Sequence, residues 1–191
     1  MSRWMQTRSF LRSLVVFAVS VVLSGCATRY NFMAGISGLV EEYYAMYPSI
    51  EVDLALVTES ETDDIKGAGV EGYFAPDSMI RGKIAPFTMF FSDENTVPVS
   101  ILPKDEMWFK WMKKKPKNLV LIASLPPEAE PPSPDPRILF VPIKKKVPVQ
   151  NMYFEIEPKK VSQIAIKPTD PQHQPKPPAN TEGAGVQPAQ K

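Results

Sequence analysis

Short runs of alternating apolar and polar residues confine this chain to a narrow set of folds. The clearest run, 50–56, places Ile50, Val52, Leu54 and Leu56 on one face, as expected of a half-buried strand. Turn residues separate six further strand candidates at 87–91, 97–102, 119–125, 138–143, 152–157 and 161–166. Pro98 indicates that the 97–102 strand lies at a sheet edge. The pattern predicts a mainly β fold, an antiparallel β-sandwich with one or two short helices.

Two segments have helical spacing. In 104–115, Pro103 suits the first turn, Pro116 ends the helix, and the apolar stripe includes Trp108 and Trp111. We expect these tryptophans to pack against a sheet rather than to stack on a cofactor. The segment 30–47 also repeats apolar residues at helical spacing, and it ends at Pro48. It is predicted to cap the core as a short helix, with an aromatic segment at a membrane interface as the alternative.

The first 25 residues are typical of a signal peptide. Three arginines precede the apolar run 14–23, and Ser24-Gly25 follows it directly before Cys26. This arrangement resembles the lipobox of bacterial lipoproteins, which implies that Cys26 is acylated and becomes the first mature residue. Ala27 then favours the outer membrane, with the body facing the periplasm, and surface exposure stays open. A plain secretory signal with a chance cysteine is the alternative.

Composition sets the predicted domain organisation and excludes some functions. Removing three leader arginines from the 22 basic residues leaves 19 against 21 acidic residues, a formal charge of −2, so a nucleic-acid partner is not expected. No thiol other than Cys26 is available for a disulfide. We predict a lipidated linker or short helix at 26–48, a sandwich at 49–166 and a disordered proline-rich tail at 167–191.

The sequence offers few candidate residues for catalysis or metal binding. The only histidine, His173, lies in the predicted tail, so we expect no enzyme activity, no cofactor and no metal site. A carboxylate pair for glycoside hydrolysis stays open. Acidic residues cluster in the segment after the 50–56 strand, where a solvated loop is favoured over a Ca²⁺ site; they are Glu59, Glu61, Asp63 and Asp64.

Three further stretches are candidates for surface contact. The lysine runs 113–117 and 144–146 are interpreted as solvated turns, with contact to anionic headgroups as the alternative. Tyr73, Phe74 and Arg81 combine aromatic and guanidinium groups, which suit partner contact but could equally close one end of the sandwich.

The lipobox, the strand order and the lack of catalytic groups together make the chain similar to outer-membrane lipoproteins of type VI secretion, the TssJ family. The resemblance covers about residues 50–166 and lies in the alternating strand 51–57, the buried strand 119–125 and the strand that opens at Arg137. It implies a transthyretin-like sandwich that docks the periplasmic domain of an inner-membrane secretion subunit, largely through the loop after the first strand. Here that loop is 58–72, which contains the acidic cluster. The hypothesised partner-binding residues are this cluster together with the separate aromatic and arginine stretch, namely Glu59, Glu61, Asp63, Asp64, Tyr73, Phe74 and Arg81.

Other functions for a lipid-anchored sandwich stay open at the sequence level. The chain could be a different outer-membrane adaptor, or it could bind polysaccharide or peptidoglycan. A lipid-anchored hydrolase is a third class.

Overall fold

Two four-stranded sheets form the described part of the protein. A computed structural model describes residues 30–102, 105–127, 132–144 and 150–173. The strands are β1 (Tyr30–Ile36), β2 (Ile50–Val57), β3 (Phe87–Phe91), β4 (Val99–Ile101), β5 (Asn118–Ala123), β6 (Ile138–Pro142), β7 (Gln150–Ile156) and β8 (Val161–Ile164). The β1 sheet has the order β4-β1-β7-β8, and the β2 sheet has the order β3-β2-β5-β6.

The strand pairing is antiparallel with one exception. β1 and β7 run parallel over seven residues, from Tyr30 opposite Gln150 to Ile36 opposite Ile156. The other pairs are antiparallel, and β4 forms an edge of its sheet, as Pro98 predicts. The predicted mainly β sandwich is therefore confirmed, and the parallel pair is an addition to it.

The core lies between the two sheets. Alternate residues of β7, namely Met152, Phe154 and Ile156, are buried, as the sequence pattern predicts. In β2 and β5 nearly every residue is buried, because both faces of the β2 sheet are covered. Helices pack on the outer face of that sheet, and the candidate site lies where they do so.

The predicted helix over 30–47 is wrong in its first half. Residues 30–36 form β1, and only Gly38–Tyr44 is helical (α1). Tyr30, Phe32 and Ile36 are buried because β1 lies between β4 and β7 inside the sheet. The sandwich thus begins at residue 30 rather than at 49.

The start of the predicted disordered tail is packed on the body. Thr96 Oγ1 donates to Asp170 Oδ1 at 2.6 Å, and Gln172 Nε2 donates to the Asp93 carbonyl at 2.8 Å. Pro168 is buried against Gly35, where an added Cβ would meet the proline Cβ at 2.8 Å. Disorder is therefore the wrong prediction for 168–172, whereas 174–191, the leader and Cys26 lie outside the described residues.

The remaining helices are α2 (Glu59–Phe74), α3 (Met79–Ile84) and α4 (Glu106–Lys113), and a 3-10 turn spans Pro171–His173. The predicted tryptophan helix corresponds to α4, and Trp108 and Trp111 are buried as expected. Trp108 packs on Tyr30 and Phe32, with ring centroids 6.0 and 5.5 Å apart. Within the described ranges, no helix is both long and apolar enough to cross a membrane.

Candidate functional site

A helical segment, rather than the predicted loop over 58–72, follows β2. We call residues 59–84, which hold α2 and α3, the helical insert. Thr58 begins α2 with a capping box: its hydroxyl accepts from the Glu61 amide at 3.3 Å, and Glu61 Oε2 accepts from the Thr58 amide at 2.8 Å. Gly69 interrupts the helix with a φ of 64°, a conformation that favours glycine. The insert packs on the outer face of the β2 sheet.

A buried carboxylate on that face fixes the insert. Asp53 is 1% exposed and points away from the sandwich core. It accepts from Arg81 Nε at 2.7 Å, from the Tyr73 hydroxyl at 3.0 Å and from the Thr88 hydroxyl at 2.6 Å. Arg81 also pairs with Glu51, the neighbour of Asp53 on the same face of β2. The buried carboxylate thus accepts hydrogen bonds from three side chains, one of them a cation, as the burial of a charge requires.

Aromatic rings complete this network. The Phe74 ring lies under the Arg81 guanidinium, with its centroid 4.9 Å from Arg81 Cζ. It also stands edge-on to the Tyr73 ring, with the two centroids 5.1 Å apart. Burial, followed by the charge of Asp53, raises the pKa of Tyr73 above its ordinary value of 10.0. The phenol therefore stays protonated and continues to donate to Asp53 throughout the physiological pH range.

Arg137 holds the far part of α2. Its side chain is 5% exposed and pairs with Asp135 at 2.7 Å and with Glu71 at 2.8 Å. The hydrogen bond from Arg137 holds the pKa of Glu71 below 4.5. Burial raises the pKa of Asp135, but hydrogen bonds from Arg137 outweigh it and keep that pKa below 3.8.

Lys114, just after α4, ties the two ends of the insert together. Its ammonium donates to Glu61 Oε1 at 3.3 Å, to the Lys83 carbonyl at 3.1 Å and to the Ile84 carbonyl at 3.3 Å. A cation at these last carbonyls complements the helix dipole of α3. The first of the two predicted lysine runs therefore contributes a structural contact rather than only a solvated turn.

The structure separates the predicted site residues. Glu61 and Tyr73 are buried, and Asp64 pairs with Lys83 at 3.1 Å. Glu59 and Asp63 remain exposed on α2, while Phe74 and Arg81 are partly buried in the Asp53 network. The four carboxylates do not converge, and among the described residues no group of histidine, cysteine or acidic side chains is placed to hold a metal.

Sequence reasoning missed Asp53 and Arg137 as organising residues. Two acidic residues, Glu51 and Asp53, on one face of a strand were a signal for this network, since a charge that is buried there needs a cation above that face. The Thr58-x-x-Glu61 spacing was a signal for the helix start.

Comparisons with known proteins found similar structures only. No protein-family model matches the chain, and no curated protein matches it. The chain is similar to Lip of Serratia marcescens, a membrane-bound component of the type VI secretion system. The two chains are 8% identical, the TM-score is 0.47, and the match covers 72% of this chain and 96% of Lip. It is also similar to the type VI lipoprotein TssJ1 of Pseudomonas aeruginosa (8% identity, 72% and 95% covered, TM-score 0.46). A chain of a type VI membrane complex matches at 13% identity, 72% and 98% covered, and a TM-score of 0.48.

Proposed function

We propose that this protein is a lipid-anchored sandwich that tethers a type VI secretion membrane complex to the outer membrane by docking a periplasmic partner subunit. The observation that carries the proposal is the helical insert, which ion pairs at Asp53, Lys114 and Arg137 fix on the outer face of the β2 sheet. A surface held in this way loses little conformational entropy when a partner binds.

The tether half of the proposal depends on Cys26. Three residues lie between it and Tyr30, the first residue of β1, so the acylated end would connect almost directly to a central strand. Two or more acyl chains are needed for stable anchoring, because one chain alone binds membranes only marginally. The protein would then remain at the membrane while its body reaches a partner.

The docking half depends on the exposed edge of α2. Glu59 and Asp63 are exposed there, whereas Glu61 is engaged by Thr58 and Lys114. Exposed charges act mainly on the rate of association with an oppositely charged surface, and salt screens them. The partner surface is therefore expected to be basic.

The tether is tested by Cys26→Ser. We expect the mature body to move from the membrane fraction to the soluble periplasm, or its processing to stall, and palmitate label to be lost. Unchanged membrane retention with no palmitate on the natural chain would refute lipid anchoring.

Docking is tested by Glu59→Lys with Asp63→Lys, and the binding partner is the periplasmic domain of the inner-membrane secretion subunit from the same cell. We expect slower association at low ionic strength, a smaller difference at high salt and an unchanged melting temperature. The matched control is Glu42→Lys with Glu94→Lys, two exposed acids on other elements. An equal effect of both pairs would contradict docking through the insert, and retention on peptidoglycan without partner binding would favour the peptidoglycan-binding alternative.

A further inference from the structure

The end of the sandwich that carries Tyr30 is close in sequence to Cys26, the residue proposed to be acylated. The four Cα-to-Cα steps from Cys26 to Tyr30 span at most about 14 Å, even fully extended. The Tyr30 hydroxyl donates to the Lys144 carbonyl at 2.6 Å, and Lys117 hydrogen-bonds the Val57 carbonyl at 2.9 Å. The start of β1, the end of β2 and the segments around Lys117 and Lys144 therefore share this end, which we call the anchor end.

Helix α4 closes the anchor end. Its inner side buries Trp108 against Tyr30 and Phe32 of the β1 sheet, and the helix also contacts β2 of the other sheet. Trp111 Nε1 donates to the Ala85 carbonyl at 3.2 Å, which fixes the helix to the end of α3. Since its inner side packs on both sheets, the opposite side faces away from the body.

That outer side has an apolar centre within a cationic rim. Phe109 is 59% exposed and lies one helical turn from Lys113, and Met112 is 37% exposed beside them. Lys110 is exposed as well, and its ammonium pairs with the Glu106 carboxylate at 3.0 Å. This pair neutralises the negative charge of Glu106 on the same side of the helix. Lys115, Lys117 and Lys144 are exposed on the flanking segments.

We propose that the outer side of α4 lies on the phospholipid surface of the membrane that holds the acyl chains, and so fixes the orientation of the body. This inference rests on the proposed acylation of Cys26. An exposed aromatic ring one helical turn from an exposed lysine suits the boundary between headgroups and acyl chains, where the ring enters and the ammonium group remains at phosphate level. Each lysine near an anionic surface favours the docked orientation about fivefold.

The anchor makes such a weak contact effective. A tether of about 14 Å keeps α4 at a high effective concentration beside the bilayer, so that a surface too weak to bind membranes alone becomes occupied. The exposed edge of α2 is then held at a defined angle rather than swinging about the linker.

The test uses the acylated full-length mature protein in vesicles of phosphatidylethanolamine and phosphatidylglycerol. Cys26 is the only cysteine in the sequence, so once Cys26 is acylated an introduced cysteine is the only free thiol. An environment-sensitive fluorophore is placed at Met112→Cys, and the matched control carries it at Leu39→Cys, which is 52% exposed on α1 at the opposite end of β1. Quenching by headgroup spin-labelled lipid should be at least twofold stronger at position 112.

A second variant tests the named side chains. Adding Phe109→Ser and Lys113→Gln to the Met112→Cys chain should lower the ratio of docked to undocked protein by about fivefold from the lysine alone, and further from the ring, at an unchanged melting temperature. Equal quenching at both positions, in protein whose acyl mass is confirmed, overturns the inference and leaves the anchor intact. A free thiol at Cys26 overturns the anchor and this inference together. If this variant loses partner binding while its quenching stays unchanged, then α4 contacts the partner protein rather than the membrane, and the inference is also overturned.

Discussion

Removing the Arg81 guanidinium should loosen the helical insert from the β2 sheet. In Arg81→Met, Asp53 keeps its hydrogen bonds from Tyr73 and Thr88 but loses the cation that balances it. The methionine chain still covers the Phe74 ring, so the change removes charge with little loss of apolar contact. The insert would then rest on a buried carboxylate with no counter-ion.

The magnitude follows from the burial of each group. Breaking a buried ion pair by removing one partner costs about 3–5 kcal/mol. The Arg81 side chain is 27% exposed, so water reaches the site and the lower end of this range applies, about 3 kcal/mol. The control is Lys83→Met, two residues along α3, where an exposed ion pair with Asp64 should contribute less than about 1 kcal/mol.

Urea unfolding followed by circular dichroism measures both variants, with Asp53→Asn and the double variant completing a cycle. We expect the double variant to lose about 1–3 kcal/mol less than the sum of the single losses, because the two groups share one interaction. Hydrogen exchange should show faster opening of α2 and α3 in Arg81→Met. A loss no larger than that of Lys83→Met, or strict additivity in the cycle, would refute the view that this pair fixes the insert.

Three further outcomes are expected. Trp108→Ala should lower the free energy of unfolding by about 3–5 kcal/mol, as emptying a buried aromatic site does, and a thermal melt that barely moves would contradict a structural role. The pKa values of Asp135 and Glu71 are lowered in the folded protein, so their stabilisation is present above their unfolded values near 3.8 and 4.5 and is lost as pH falls through the folded values. Stability should therefore drop below about pH 4.5, and Arg137→Met should flatten that drop in acid titrations. Truncation before Pro168 should lower the melting temperature, since this residue is buried on the body, and an unchanged melt would show that the packed start of the tail is dispensable.

The sequence pattern predicted the inward face of the strands but not the burial of their outward face. Alternation in β2 correctly identified Val52 and Leu54 as inward-facing, because one face of each sheet packs on the other sheet. The opposite face was expected to be solvated, yet Asp53 and Ala55 are buried there. Their burial depends on the helical insert, whose packing position no local pattern encodes.

The first strand shows the limit of periodicity. Phe32 and Ile36 fit a helix, while Tyr30, Phe32, Ala34 and Ile36 fit a strand equally well. Pairing with β7, about 120 residues later, decides between them, and local propensity carries no information about a partner so distant. The Asp53–Arg81 pair, 28 residues apart, escaped prediction for the same reason, whereas the capping box at Thr58 was local and could have been recognised.

The central position of β1 also has a mechanical consequence. Tension applied at residue 26 would enter the body along the axis of β1, which is hydrogen-bonded to β4 on one side and β7 on the other. Such a load shears both ladders together, instead of peeling an edge strand one bond at a time. The strand nearest the proposed lipid is thereby paired on both sides, so its extraction breaks two ladders at once and forced unfolding from this terminus should be slow.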